Sequence, residues 1–411
     1  MAERNNPVET NAEATQGLAP NEHVQSNWIF DEIERLKSEQ RFRTLQVRQS
    51  PHVGGQIHLD HLTLINFSSN DYLGLAADAR LIAAANGVAN QVGWGSAASP
   101  LVSGYGVWHA ALERRVAAFE QTEAALICST GYAANLSVLT ALAGKGDVIF
   151  SDALNHASII DGCRLSGAAI QVYRHRDIRH LEELLSECDS FRRKLIVTDT
   201  LFSMDGDIAP LREICDLAER FHAMIVIDEA HATGVFGERG KGVAEAMGVS
   251  TRVTAKVGTF SKACGSAGGF VAGAQHVMDW IRNRGRTYIF STAQPEAVAA
   301  ASHKAIDIIE SESQTRKQLI EMAANVRNRL KSGGFYIGNS ESQIIPIVLG
   351  SEAKALGAAQ ALRELGLLVP AIRPPTVPEG NVDCESACVH HRDEHLEALI
   401  DGLKSVVPCN A

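Results

Sequence analysis

Long apolar runs are missing from this 411-residue chain. No stretch approaches the ~20 consecutive apolar residues that a bilayer-spanning helix needs, so no membrane partner is expected. An excess of positive charge is missing too. Lys and Arg total 38 against 48 Asp and Glu, a net charge of -10, and no basic run is interleaved with aromatics, which argues against nucleic acid as a partner. Cysteine is scattered: the eight, at 128, 163, 188, 215, 264, 384, 388 and 409, form neither a CxxC pair nor a zinc spacing with histidine. A secreted disulfide framework is thereby excluded, and a reducing compartment is the expectation. The stretch Met1 to Asn27 has neither an apolar core nor an arginine-rich amphipathic face, so it does not read as a signal or transit peptide. Cytoplasm is the expected location. Internal repeats and low-complexity tracts are absent as well.

What is present is an ordinary globular composition, 45% hydrophobic and 21% charged, long enough for two lobes. From Trp108 onward, apolar strands alternate with amphipathic helices: a strand at Ala124 to Cys128, then GDVIFSD, AIQVYRH, KLIVTDTLF and AMIVIDEAH, each followed by a helical stretch. Fully apolar strands separated by helices indicate a parallel sheet covered on both faces. The expected fold is therefore α/β, a large domain with a mostly parallel sheet covered by helices. A long helical region, Pro295 to Leu330, leads from it to a smaller α+β C-terminal domain. Ligands of such sheets gather at the strands' carboxyl ends. Polar residues stand there at Ser151 and Asp152, at Thr198 to Ser203, at Asp228, Glu229 and His231, and at Thr259 to Lys262.

The segment GTFSKACGSAGG, Gly258 to Gly269, concentrates the chemistry. Lys262 follows a strand and sits in a glycine-rich turn that lets other groups approach closely. A buried ammonium is costly, so such a lysine tends toward the neutral amine, a nucleophile able to form a Schiff base with an aldehyde. An aromatic aldehyde acting as an electron sink needs a carboxylate beside its ring nitrogen, and Asp228 can deliver one rigidly. His231 and His156 are candidates for the ring oxygen and the ring face, though either one alone is more often a structural histidine than a catalytic one. The turn STGYAAN opens a helix, where the amides of Gly131 and Tyr132, with Thr259, could hold a phosphate; Thr130 reads as an ordinary cap.

The motifs NFSSNDYLGL, SGYG, STGYAAN, NHAS, FSMDGD, IDEAHATG, GTFSKA and AIRPPTVP, in that order between Asn66 and Pro378, resemble those of the α-oxoamine synthases, a family of fold-type-I pyridoxal-phosphate enzymes. The resemblance covers about residues 28–378. Residues 1–27 lack a hydrophobic pattern and are expected to be a disordered extension; an N-terminal helical segment is expected over 28–62, a large cofactor-binding domain over 63–305 and a small domain over 306–411. The resemblance implies pyridoxal 5'-phosphate held by Lys262, with Asp228 paired to the pyridinium, His156 stacked on the ring, and Ser203 and His231 at the ring oxygen. Gly131, Tyr132 and Thr259 would hold the phosphate, and Arg43 and Thr376 would meet the acyl substrate. No metal is expected. The nearest resemblance is to members that condense L-alanine with a pimeloyl thioester, on coenzyme A or acyl carrier protein, releasing carbon dioxide in biotin synthesis. Sister enzymes use glycine with another acyl thioester. Family members are homodimers, which is the expectation here.

One stretch departs from the family pattern. Where a strand like RLRISLSA is expected after RPPTVPEG, the chain has VDCESACVHH, with Glu385 in place of the arginine expected to meet the amino-acid carboxylate. Taken literally, this impairs alanine binding, because like charges brought together in a desolvated site cost several kcal/mol. A catalytically impaired cofactor-binding subunit is the alternative. Read from the last base of the Val382 codon, however, synonymous codons for Asp383 to Cys388 can spell Arg, Leu, Arg, Ile, Ser, Val. The hypothesis is a local one-base reading-frame error, in the gene or its record, restored soon after His391.

Overall fold

The computed structural model describes residues 27–39, 41–51, 55–372, 384–386 and 390–407. The chain divides into two compact units, Met1–Val47 and Arg48–Ala411. In the first, the helix Asn27–Ser38 buries none of its residues and is laced by Arg35 to Glu32 and Lys37 to Glu34, both at 2.7 Å. Such i,i+3 pairs stabilise a helix by only a few tenths of a kcal/mol each.

The second unit carries the strands. β1 (Gln56–Leu59) and β2 (Leu62–Asn66) form a hairpin. β3 (Ala124–Cys128), β4 (Val148–Asp152), β5 (Ala169–Tyr173), β6 (Lys194–Asp199), β7 (Met224–Asp228), β8 (Ala255–Thr259) and β9 (Gly269–Gly273) build one seven-stranded sheet. The short β10 (Ile344–Pro346), β11 (Leu367–Leu368) and β12 (Cys384–Ser386) follow. β11 joins β2 in parallel, and β12 pairs with β10 antiparallel.

The main sheet runs in the order β3-β9-β8-β7-β6-β4-β5. Six of its strands point the same way, with β4 to β8 paired in parallel as a sheet of apolar strands predicts, while β9 alone is reversed and lies antiparallel to both β3 and β8. Residues such as Ile196, Val226, Ile227 and Val257 are completely buried, because helices cover both faces of the central strands; the edge strand β5 alternates instead, with Ile170 and Val172 exposed. One core joins the sheet to the helices on one face, and a second lies beneath the helices Gly131–Leu142 and Gln275–Arg284. A third gathers Phe67, Leu330, Leu362, Leu367 and Leu399.

Two expectations are corrected. The helical region Pro295 to Leu330 is two helices, Glu296–Ser311 and Ser313–Ser332, broken at Glu312, whose φ of -109° and ψ of 53° are not helical. The segment GWGSAASPLVSGYG, Gly93 to Gly106, whose Gly and Ser content predicts an extended loop, contains one wide helical turn at Pro100–Gly104, opened by a proline in its first turn.

Candidate active site

β6, β7 and β8 end side by side, and the site is built on those ends. In register, Asp199 of β6 stands opposite Asp228 of β7. Both are buried. Asp228 Oδ2 accepts from Asn135 Nδ2 at 2.6 Å and Oδ1 accepts from the Ala230 amide at 2.8 Å, so the carboxylate is fixed on both oxygens. Asn135 also donates to Ser158 Oγ at 2.9 Å, and Ser158 Oγ lies 2.7 Å from His156 Nδ1. Because the Ser158 amide also donates to His156 Nδ1, at 3.3 Å, that nitrogen is an acceptor and the histidine proton sits on Nε2. His156 itself caps the helix Ala157–Ser166. Its amide donates to Asp199 Oδ2 at 2.6 Å.

Lys262 lies in the turn that follows β8, closed by a bond from the Gly265 amide to the Lys262 carbonyl at 2.8 Å. Gly265 has φ +60°, and a Cβ there would meet Ala76 N at 2.3 Å, so only glycine permits this packing. Burial pulls the Lys262 ammonium down from 10.5 to about 8, against the opposing pull of Asp228 and Asp199. Burial and the Asp228 charge push Asp199 well above the usual carboxylate range. His156 is lowered by burial, which the Asp228 carboxylate opposes and Lys262 reinforces. His231 is lowered well below its usual value by burial, then by Lys262 and His156. An amine that is partly neutral near physiological pH, a fixed carboxylate and two neutral imidazoles are thus brought into one electrostatic neighbourhood.

A second group of residues meets at the start of the helix Gly131–Leu142. Thr130 caps it, accepting from the Ala133 amide at 2.9 Å. The Gly131 and Tyr132 amides have no hydrogen bond among the described residues. A Cβ on Gly131 would lie 3.4 Å from Thr259 Cβ, and one on Gly269 would fall 2.6 Å from Gly131 N. Glycine at 269 is what lets β9 seat the helix start against β8. Thr259 Oγ1 donates to the Gly268 carbonyl at 2.8 Å and lies 2.7 Å from the Ser261 hydroxyl. Tyr132 stands edge-on to His156, with ring centroids 6.5 Å apart.

Of the residues expected from sequence, Lys262, Asp228, His156 and His231 come together, and Gly131 and Thr259 meet at the helix start. Ser203 lies half-buried in the turn bracketed by the Leu201–Ile208 bridge. Arg43 belongs to the N-terminal unit and is exposed there. Thr376 lies outside the described residues. Asp199, Asn135 and Ser158 were not singled out. Asn135 could have been found as a lone amide on an otherwise apolar helix, and Asp199 as a second carboxylate ending a buried strand.

A family model for aminotransferases of class I and II matches residues 63–403. A serine palmitoyltransferase from S. paucimobilis, solved with bound PLP–myriocin, superposes with a TM-score of 0.88 at 31% identity, covering 93% of this chain and 97% of that one. The fold and site define a fold-type-I, pyridoxal-phosphate-dependent transferase. Two relatives narrow the class: 8-amino-7-oxononanoate synthase 2 of Bacillus subtilis (strain 168), 46% identical over 354 residues, 86% of this chain and 90% of its own length, and the 8-amino-7-oxononanoate synthase of Anaeromyxobacter sp. (strain Fw109-5), 47% identical over 382 residues, 93% and 96%. The chain belongs to the α-oxoamine synthase family, as a PLP-dependent acyltransferase.

The residues present fit the cofactor. The cradle between Gly131, Gly269 and Thr259 is one that a Cβ at Gly269 would block, 2.6 Å from Gly131 N, and its free amides suit a phosphate. Asp228 presents an anchored carboxylate, while the buried Asn135 Oδ1 has no partner among the described residues. Lys262 supplies the amine.

Proposed function

We propose that this chain condenses L-alanine with a pimeloyl thioester, carried on coenzyme A or acyl carrier protein, giving 8-amino-7-oxononanoate, carbon dioxide and the free thiol carrier in biotin synthesis. What carries the reading is the 46–47% identity, across most of the chain, to enzymes of that name. Pyridoxal phosphate, when bound, supplies the electrophilic carbonyl and the conjugated ring that takes up the charge left at the alanine Cα.

The protein's own residues divide the remaining work. Lys262 Nζ, with its affinity for protons lowered by burial, anchors the cofactor and then takes the proton from the alanine Cα. Asp228 keeps a proton on the pyridine nitrogen, and its own orientation is set by Asn135 and the Ala230 amide. His156 covers the ring face, and His231 and Ser203 hydrogen-bond the ring oxygen. The Gly131 and Tyr132 amides and Thr259 bind the phosphate, and Arg43 and Thr376 meet the pimeloyl chain. Association as a homodimer is supported by the exposed apolar side chains Trp94, Val102, Val107 and Phe290, each more than 65% exposed. Among the described residues no helix is long and apolar enough to cross a membrane, in keeping with action in the cytoplasm.

The test is direct. Purified protein given L-alanine and pimeloyl-CoA releases free thiol and 8-amino-7-oxononanoate, glycine substitutes poorly, and borohydride reduction followed by peptide mapping labels Lys262. A label elsewhere, or none, overturns the reading. One observation favours a second reading, an impaired subunit: Glu385 lies in β12, its backbone paired with Ile345 of β10, where the family pattern expects arginine. A cofactor spectrum that ignores added alanine supports that reading. Resequencing the coding DNA on both strands decides whether Glu385 is real; the expected outcome is a one-base shift over residues 382–391.

A further inference from the structure

The motif Asn66 to Leu75 contributes nothing to the cofactor chemistry above, yet its tyrosine reaches the site. Tyr72 is fully buried, at 0% exposure, and its hydroxyl lies 2.7 Å from His231 Nδ1. Both partners are held in place independently. The His231 carbonyl accepts from Gln343 Nε2 at 2.9 Å. On the other side, the Asp71 carboxylate accepts from the Leu75 and Ala76 amides at 2.9 and 3.1 Å. The same Leu75–Ala76 backbone is the surface against which Gly265 of the lysine turn packs. Tyr72 is therefore fixed relative to both Lys262 and His231.

His231 is neutral in this setting, and a neutral imidazole carries its single proton on either Nδ1 or Nε2, whichever its partners select. We propose that Tyr72 is a positioning residue: its hydroxyl donates to His231 Nδ1, placing the imidazole proton on Nε2 and making His231 a hydrogen-bond donor to the cofactor's ring oxygen. The inference rests on the ring-oxygen role given to His231 above. Asn70 Oδ1 lies 3.1 Å from the same hydroxyl. A hydroxyl has one proton, so once it is directed at His231 the Asn70 amide makes a half-turn and donates Nδ2–H to the tyrosine oxygen. In the opposite arrangement His231 donates to Tyr72 and Tyr72 donates to Asn70. That leaves a bare lone pair on Nε2, which cannot stabilise an anionic oxygen.

The experiment reads the absorption bands of the holoenzyme at one pH, where cofactor with an anionic ring oxygen absorbs at longer wavelength than cofactor protonated there. Tyr72→Phe keeps the ring and removes one oxygen. It lowers the long- to short-wavelength ratio by about five-fold, the worth of one ordinary hydrogen bond, and His231→Asn lowers it at least as much. If His231→Asn changes the ratio and Tyr72→Phe does not, the role of Tyr72 is refuted while that of His231 stands. If neither changes it, both fall. Should Tyr72→Phe fail to fold, the wild-type holoenzyme labelled with 15N-histidine, with the resonance assigned by its loss in His231→Asn, reads the tautomer directly. A protonated Nε2 and a bare Nδ1 are expected, and a protonated Nδ1 overturns the proposal.

Discussion

The titration of Lys262 is the most exposed consequence of the site's electrostatics. With its ammonium lowered from 10.5 to about 8, about one molecule in ten carries the free amine at pH 7, against about one in 3,000 for an unperturbed lysine. The gain in reactive amine is therefore about 300-fold at that pH. Its cause is burial, opposed by Asp228 and Asp199, which fixes the sign of each perturbation. Asp228→Asn removes a charge that favours the ammonium, so the midpoint moves below 8, and Asp199→Asn moves it the same way to the extent that Asp199 is ionised. The assay is the rate at which cofactor-free protein captures pyridoxal phosphate, followed by absorbance from pH 6 to 10. Wild type should accelerate through a midpoint near 8. A midpoint near 10.5 would refute the desolvation argument, and an upward shift in Asp228→Asn would refute the assigned sign.

Other outcomes follow from packing and linkage. Lys256 Nζ lies 2.5 Å from Glu120 Oε2 with both side chains at most 3% exposed, so Lys256→Met strands a buried carboxylate and costs about 3–5 kcal/mol in urea unfolding. Gly269→Ala drives a Cβ to 2.6 Å from Gly131 N, and cofactor affinity by fluorescence titration falls at least about ten-fold, the loss of roughly one phosphate hydrogen bond. His175 is lowered by burial, but Asp152 and Asp207 outweigh that and raise it to about 9. Since the folded value exceeds the unfolded one, its stabilisation is complete below about pH 6.5 and lost as pH rises through 9, up to roughly 3 kcal/mol. Thermal melts from pH 6 to 9.5 should show this decline, and His175→Gln should flatten it.

The sheet was legible where strands are buried on both faces, because Ile225 to Ile227 and Leu195 to Val197 must then be apolar throughout. Its lysine, carboxylate and histidines could be read from their places at strand ends. The direction of β9 could not, since FVAG fills a buried slot equally well either way. β11 and β12 were illegible in extent for another reason: two or three residues hold strand geometry only through their pairing with β2 and β10, so tertiary contact decides them. Glu312 broke a helix whose flanks carry continuous helical periodicity, and nothing at that residue type announces the break. Asp199 was hidden by its neighbours, since threonine, serine and aspartate crowd the stretch 198–203 and only register singles out the one opposite Asp228.

The antiparallel β9 has a consequence for how the molecule is made. It fills the slot between β3 and β8, and about 140 residues separate the end of β3 from its start. At ribosomal speeds of about 5–20 residues per second, β3 waits roughly 7–30 s with an unpaired edge. Until Gly269 arrives, β3 cannot join the five strands β4 to β8, and the anion cradle beside it is incomplete. A nascent chain stalled before that glycine offers two sticky strand borders to its neighbours and no seat for a prosthetic group, so ligand-assisted maturation can begin only when about two-thirds of the polypeptide has been synthesised.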